Sequence, residues 1–368
     1  MEGDSGGMDD ILRIHAPTID DAASYFRVRA PFAVLNYCTD HECHVAPVTQ
    51  AHARKRDVLW LQQATAPLME DVVDAFHAHG RLVVYDVDDL FFELPQSWPC
   101  YDRFFDGGRV VGSGKSVSVA PQEALVYHAR LLDKADVVTV PTERLAAKMR
   151  EHTGKRAVVL PNCIRMSDWD MIEPVGTTLD GPVLGWFGTE NHWDDWMEIV
   201  DIVDEVLEEV GGYLALMGAP YLLRMFPERL ASRTHVKNLV PMDRFGETRL
   251  GIKACDVGLA WCTDRLEANR CRSPLKAIQY GAAGVPCVAS QTVYGESLPG
   301  WEIPVPDAGE YRWWAHDFGW TARLDGLRDA LLDALSEPQP ERAAAWQAEV
   351  WRAWSYELKA MAWLEVVR

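Results

Sequence analysis

The sequence predicts an α/β protein of two doubly wound domains, and three observations carry that prediction. Short β-branched runs alternate with amphipathic helical stretches along its length, the pattern of parallel sheets wrapped by helices. Its 368 residues exceed what one hydrophobic core ordinarily organises. Between Pro161 and Pro182 the alternation lapses into a polar stretch, which suits a connection between domains.

In the first half, strands are expected at Leu12–His15, Val58–Gln62, Leu82–Asp86, Val137–Val140 and Val158–Leu160, with helices at Tyr25–Tyr37, Pro67–His79, Pro121–Lys134 and Thr142–His152. The second half repeats the alternation. Its expected strands are Val183–Phe187, Tyr213–Met217, His235–Leu239, Val257–Trp261 and Pro286–Ala289, separated by helices such as Trp193–Val210 and Ser273–Ala283. Trp346, Val350, Trp354, Leu358 and Leu364 then recur near helical spacing, predicting one long amphipathic helix over Glu341–Val367 that ties the domains together. The expected boundaries are 8–165, 166–337 and 338–368.

Composition narrows the function classes. A formal charge of −19, with no run of five lysines or arginines, repels polyanions, so a nucleic-acid acceptor needs a local basic cleft. Arg54, Lys55 and Arg56, and Arg270 with Arg272, are the clusters available. The longest uncharged run, Ala277–Gly295, is broken by glycines, Pro286 and polar residues, which argues against stable membrane insertion. The first ten residues are acidic and glycine-rich rather than basic and apolar, so a cytoplasmic protein is expected. Most of the eight cysteines fall in apolar segments and read as reduced core residues. Cys38, His41, Cys43 and His44 have zinc-ligand chemistry without finger spacing, and packing at a helix-to-strand corner is the expectation. Gly112–Ser116 imitates a phosphate loop, but Arg109 stands where that motif needs glycine. The irregular stretch Leu94–Ala120, rich in glycine and aromatic residues, is a candidate substrate loop.

Two segments carry chemistry. In Asn269–Ser290, NRCRSPLKAIQYGAAGVPCVAS, a helix beginning at Ser273 with Pro274 in its first turn would present unpaired amides and a positive dipole end to diphosphate oxygens. Arg272 and Lys276 add positive charge, and Gly281 to Gly284 permit close packing and a sharp turn. The plainer alternative is a packing helix with two surface cations. In the other segment, Asp86, Asp88 and Asp89 cluster at the carboxyl end of a strand, where ligand sites of parallel sheets gather. Adjacent carboxylates raise one another's proton affinity unless a cation or hydroxyl compensates. Asp88 is the first candidate to orient or deprotonate an acceptor hydroxyl, with Asp86 and Asp89 beside it. A divalent metal held by the three, or a simple capping cluster, are the alternatives.

Taken in order, these segments resemble the GT-B glycosyltransferases of the glycogen-synthase-like, mostly retaining branch. Residues 269–290 are similar to that family's donor-binding helix, Pro141–Leu145 and Val159–Asn162 to the end of its first domain, and Gly185–Thr189 to the opening strand and turn of its second. The resemblance runs from about Arg13 to Ser290. It implies two Rossmann-like domains facing a central cleft and a nucleotide diphosphate sugar, a UDP-sugar foremost, as co-substrate with no obligatory cofactor. It makes Gly188, Thr189, Arg272, Ser273, Lys276 and Gln279 candidate donor contacts, and Arg27, Arg29, Asn162 and Asn191 candidate contacts to phosphate or acceptor. The sequence departs from the family where a spaced pair of glutamates is usual, having Cys271 and Gln279, and where Cys163 replaces the glycine after Asn162. A glutamine still hydrogen-bonds ribose hydroxyls but carries no charge. The implied activity is sugar transfer to an acceptor hydroxyl with retention, the acceptor being a glycan, lipid, small molecule, protein or hydroxymethylated base in DNA. A sugar-nucleotide epimerase or a non-catalytic nucleotide-sugar-binding relative would share the architecture.

Overall fold

The computed structural model describes residues 11–17, 22–64, 67–97, 101, 121–170, 172–173, 179–237, 245–295, 298, 313–315 and 319–368. The Gly112–Ser116 run and most of the candidate loop 94–120 lie outside them.

The first lobe is a six-stranded parallel sheet in the order β2-β1-β3-β4-β5-β6. Its strands are β1 (Arg13–Ala16), β2 (Glu42–Val45), β3 (Val58–Gln62), β4 (Leu82–Asp86), β5 (Val137–Val140) and β6 (Ala157–Val159). Every residue of β3 is buried, and its apolar Val58–Leu61 run suits a strand covered by helices on both faces. Helix Glu143–Thr153 follows β5 with cap signals at both ends: Thr142 accepts from the Leu145 N–H at 3.1 Å, and Gly154 stops the helix at φ 69°.

The second lobe is a seven-stranded sheet in the order β12-β13-β11-β10-β7-β8-β9. Its strands are β7 (Val183–Phe187), β8 (Tyr213–Met217), β9 (Thr234–Lys237), β10 (Val257–Ala260), β11 (Cys287–Ser290), β12 (Trp313–Ala315) and β13 (Trp320–Ala322), with only β12 antiparallel. The Trp193–Glu209 helix buries Trp196, Ile199, Val203, Val206 and Leu207 at helical spacing against this sheet. Strand order reverses between β1 and β3 and between β7 and β10, so each lobe has its switch-point crevice at the carboxyl ends of its strands.

The closing segment departs from the single helix expected. Helix Pro340–Trp354 ends at Ser355, which is extended (φ −89°, ψ 140°), and short helices Tyr356–Lys359 and Met361–Glu365 follow. The break has a long-range cause: Ile164 of the interdomain connection donates to Trp354 O and accepts from the Tyr356 N–H, both at 2.8 Å. Before the break, Trp346 and Val350 pack against Gly281, where a Cβ would come 2.4 Å from Trp346 Nε1. After it, Tyr356, Ala360, Trp363 and Leu364 join the first-lobe core with Trp60 and Phe32. The segment crosses between lobes as expected, but bent.

Two other clusters singled out in the sequence lie in the first lobe. Arg54, Lys55 and Arg56 precede β3 at the amino ends of the strands, opposite the crevice, and Arg56 pairs with Glu42 at 3.3 Å. The Cys38–His44 group forms the turn into β2: Cys43 is buried, His41 accepts from the Leu12 N–H at 3.1 Å, and His44 lies 3.5 Å from Glu42.

Candidate active site

The Asp86–Asp89 run ends β4 and faces the turn before the Leu275–Ala282 helix of the other lobe. The three carboxylates diverge instead of sharing one partner. Asp86 is fully buried, receives Nε of Arg27 at 2.9 Å and a second guanidinium N–H in a bidentate pair, and also accepts from the Thr139 hydroxyl. Arg27, equally buried in a π-helical turn over Tyr25–Arg29, donates onward to Asn162 Oδ1 at 3.0 Å and to Leu160 O. The guanidinium has no exposed surface and commits four of its five N–H groups to protein acceptors. Arg27 and Asp86, the expected phosphate clamp and catalytic contact, thus form a buried ion pair at the base of the candidate site. Arg29 is partly exposed on the same turn.

Asn162 joins the lobes. Its Nδ2 donates to Asp88 Oδ1 at 3.0 Å and to Ser273 Oγ at 2.9 Å. Ser273 thus spends its hydroxyl on Asn162 and does not cap the following helix, which starts at Leu275 after Pro274, two residues later than expected. Asp89 faces Arg272 across the lobes at 4.0 Å. Asp88 lies between these contacts, partly buried; burial and the adjacent Asp89 charge push its carboxyl up to about 7, against Arg27 and the Asn162 hydrogen bond, which favour the anion.

On the second-lobe side, Gly188, Thr189 and Asn191 follow β7 into the turn Glu190–His192. Gly188 is required by contact: a Cβ there would approach the Trp186 ring at 2.7 Å and His192 Cδ2 at 2.9 Å. Lys276 Nζ lies 3.0 Å from His192 Nε2 and 4.8 Å from the centre of the Trp186 ring. Arg272 reaches the same imidazole at 3.4 Å. Burial first, then the Lys276 charge, lowers His192 to about 3, so the ring is neutral. Burial, reinforced by Arg272 and opposed by Asp195 and Cys262, brings Lys276 down to about 8. Gln279, 3% exposed, leaves its Oε1 without a hydrogen-bond partner.

The structure thus gathers Asp88, Asp89, Asn162, Arg272, Ser273 and Lys276 at one junction of the lobes. It adds two residues the motif reading missed, His192 and Asp195, three apart at the start of a helix. That spacing was the available signal, since it sets two side chains on one helical face. Among the described residues no group of three His, Cys, Asp or Glu side chains is arranged to hold a metal.

No protein-family profile and no curated protein matches the chain. Solved structures do match over nearly its whole length. An α-glucosyltransferase in complex with UDP and a 13-mer DNA containing an HMU base superposes with a TM-score of 0.63 at 11% identity, covering 97% of this chain and 100% of that one. A glycosyltransferase from Rickettsia africae ESF-5 gives 0.60 at 10% identity, over 98% of each chain. A glycosyltransferase involved in avilamycin A biosynthesis gives 0.54 at 13%, over 97% of each. Two facing parallel α/β lobes, superposing end to end on these proteins, have the fold of the GT-B glycosyltransferases.

Proposed function

We propose that the protein is a glycosyltransferase that moves a sugar from a nucleotide diphosphate sugar, UDP-linked, to an acceptor hydroxyl. One observation carries the reading: Arg272 and Lys276 of the second lobe stand opposite Asp88 and Asp89 of the first, with Asn162 hydrogen-bonded to both sides. Phosphate oxygens need cations that are already oriented, and the attacking acceptor hydroxyl needs a carboxylate to orient it toward the anomeric carbon. Gln279 supports the donor side, since its buried, unpartnered Oε1 suits a ribose hydroxyl.

In this mechanism Arg272 and Lys276 neutralise the charge that develops on the departing diphosphate. Asp88 accepts a hydrogen bond from the attacking hydroxyl and orients it, and Asp89 holds Arg272 in place. Transfer with retention lets the hydroxyl attack from the face the diphosphate leaves, so the departing phosphate oxygen can take its proton. Closure of the lobes keeps water from the anomeric carbon.

A thermal-shift screen of nucleoside diphosphates and their sugars, followed by transfer assays with glycan, lipid, small-molecule and hydroxymethylated-DNA acceptors, tests this. Stabilisation by UDP and acceptor-dependent product of retained anomeric configuration are expected. Conversion of the donor alone to an epimeric sugar nucleotide would replace the reading with an epimerase. Binding without any turnover would replace it with a non-catalytic nucleotide-sugar-binding protein.

A further inference from the structure

Behind the two cations lies a buried polar chain. Asp195 is 2% exposed and His192 is 8% exposed. Asp195 Oδ1 accepts the Thr263 N–H at 2.7 Å, while Oδ2 faces His192 Nδ1. Burial alone would raise the Asp195 carboxyl; the imidazole hydrogen bond and the nearby cations outweigh it and hold the group below its ordinary value. An ionised carboxylate only accepts, so the ring proton resides on Nδ1 and Nε2 offers a lone pair. That lone pair receives one N–H of Lys276, leaving the ammonium two others. The titratable and charged groups acting on Lys276 are Asp195, Cys262, Arg272 and His192. Without an acceptor at Nε2, repulsion from Arg272 would turn the ammonium away from its place.

We propose that Asp195 and His192 are positioning residues of the donor site: the carboxylate fixes the imidazole tautomer, and the imidazole tethers Lys276 by one N–H so that the others meet the departing diphosphate. The proposal rests on the reading of this junction as a nucleotide-sugar site.

Asp195→Asn is the direct test, because it preserves size and an acceptor for Thr263. Its NH2 group, turned to His192 Nδ1, forces the ring proton onto Nε2 and points it at Lys276. The expected result is a loss of about 100-fold in kcat, the scale of one misplaced transition-state donor, with donor KM changed less than about threefold. The alkaline limb of kcat/KM, set by Lys276 near pH 8, should move to lower pH, since the lost carboxylate charge had supported the ammonium. His192→Gln, whose carbonyl can accept from Lys276, should keep about tenfold more activity than His192→Leu. This pair decides the matter should Asp195→Asn fail to fold. An alkaline limb that stays in place in Asp195→Asn, or equal losses in the two His192 variants, would overturn the positioning role. A wild-type protein that binds no nucleotide in calorimetry would instead remove the donor site itself.

Discussion

Asp86 and Asp88 are two residues apart yet have different surroundings, and under the proposed function their isosteric amide variants should separate. Asp86 and Arg27 have no exposed side-chain surface, and the guanidinium has no solvent to turn to when its carboxylate is lost. Removing one partner of a buried pair costs about 3–5 kcal/mol. In a lobe of this size each kcal/mol moves the melting temperature by about 2–4 °C, so Asp86→Asn should lower the first-lobe transition by roughly 6–20 °C. Asp88→Asn keeps an acceptor for Asn162 and places a neutral group where burial already disfavours the anion, so its transition should not fall below that of wild type. Its kcat should fall by about 100-fold or more, the range for a lost acid–base or orienting carboxylate. Differential scanning calorimetry and a transfer assay on both variants read the contrast. Wild-type melting in Asp86→Asn, or wild-type turnover in Asp88→Asn, would refute the assignment.

Other consequences are open to single measurements. Lys276→Met should cut kcat by about 100- to 1000-fold while circular dichroism stays native; unchanged turnover would take the lysine out of the site. Asp88 is raised from 3.8 to about 7 in the folded state, so native protein binds the extra proton between those values and stability should decline as pH rises across them. Urea melts at pH 5 and pH 8 should show that decline in wild type and a weaker one in Asp88→Asn. Gly281→Ala would place a methyl 2.4 Å from Trp346 Nε1, and a destabilisation of about 1–3 kcal/mol in denaturant melts is expected.

The sheets were largely legible because their strands are short, apolar, largely buried runs. The structure assigns Val58–Gln62, Leu82–Asp86, Val137–Val140, Val183–Phe187 and Tyr213–Met217 at the boundaries read from sequence. The edge strand Glu42–Val45 escaped because three of its four residues are exposed and two are Glu42 and His44, leaving no apolar pattern. The break at Ser355 was invisible because its cause, Ile164, lies far away in the chain. At the site, residue types could be read but not partners. Nothing local distinguishes Asp86 from Asp88; Arg27 and Asn162 do, from two other elements. His192 and Asp195 gained meaning only when Lys276 was brought to the imidazole.

The bent closing segment also bears on how the chain comes off the ribosome. Tyr356 meets Cys163 across 193 positions of sequence and Phe26 across 330, and with Ala360, Trp363 and Leu364 it fills the core of the lobe translated first. A nascent first lobe therefore emerges with its six strands available but one wall missing, and must wait for the whole second lobe to be synthesised before that wall arrives. Chaperone dependence and early proteolytic clipping should concentrate in that interval.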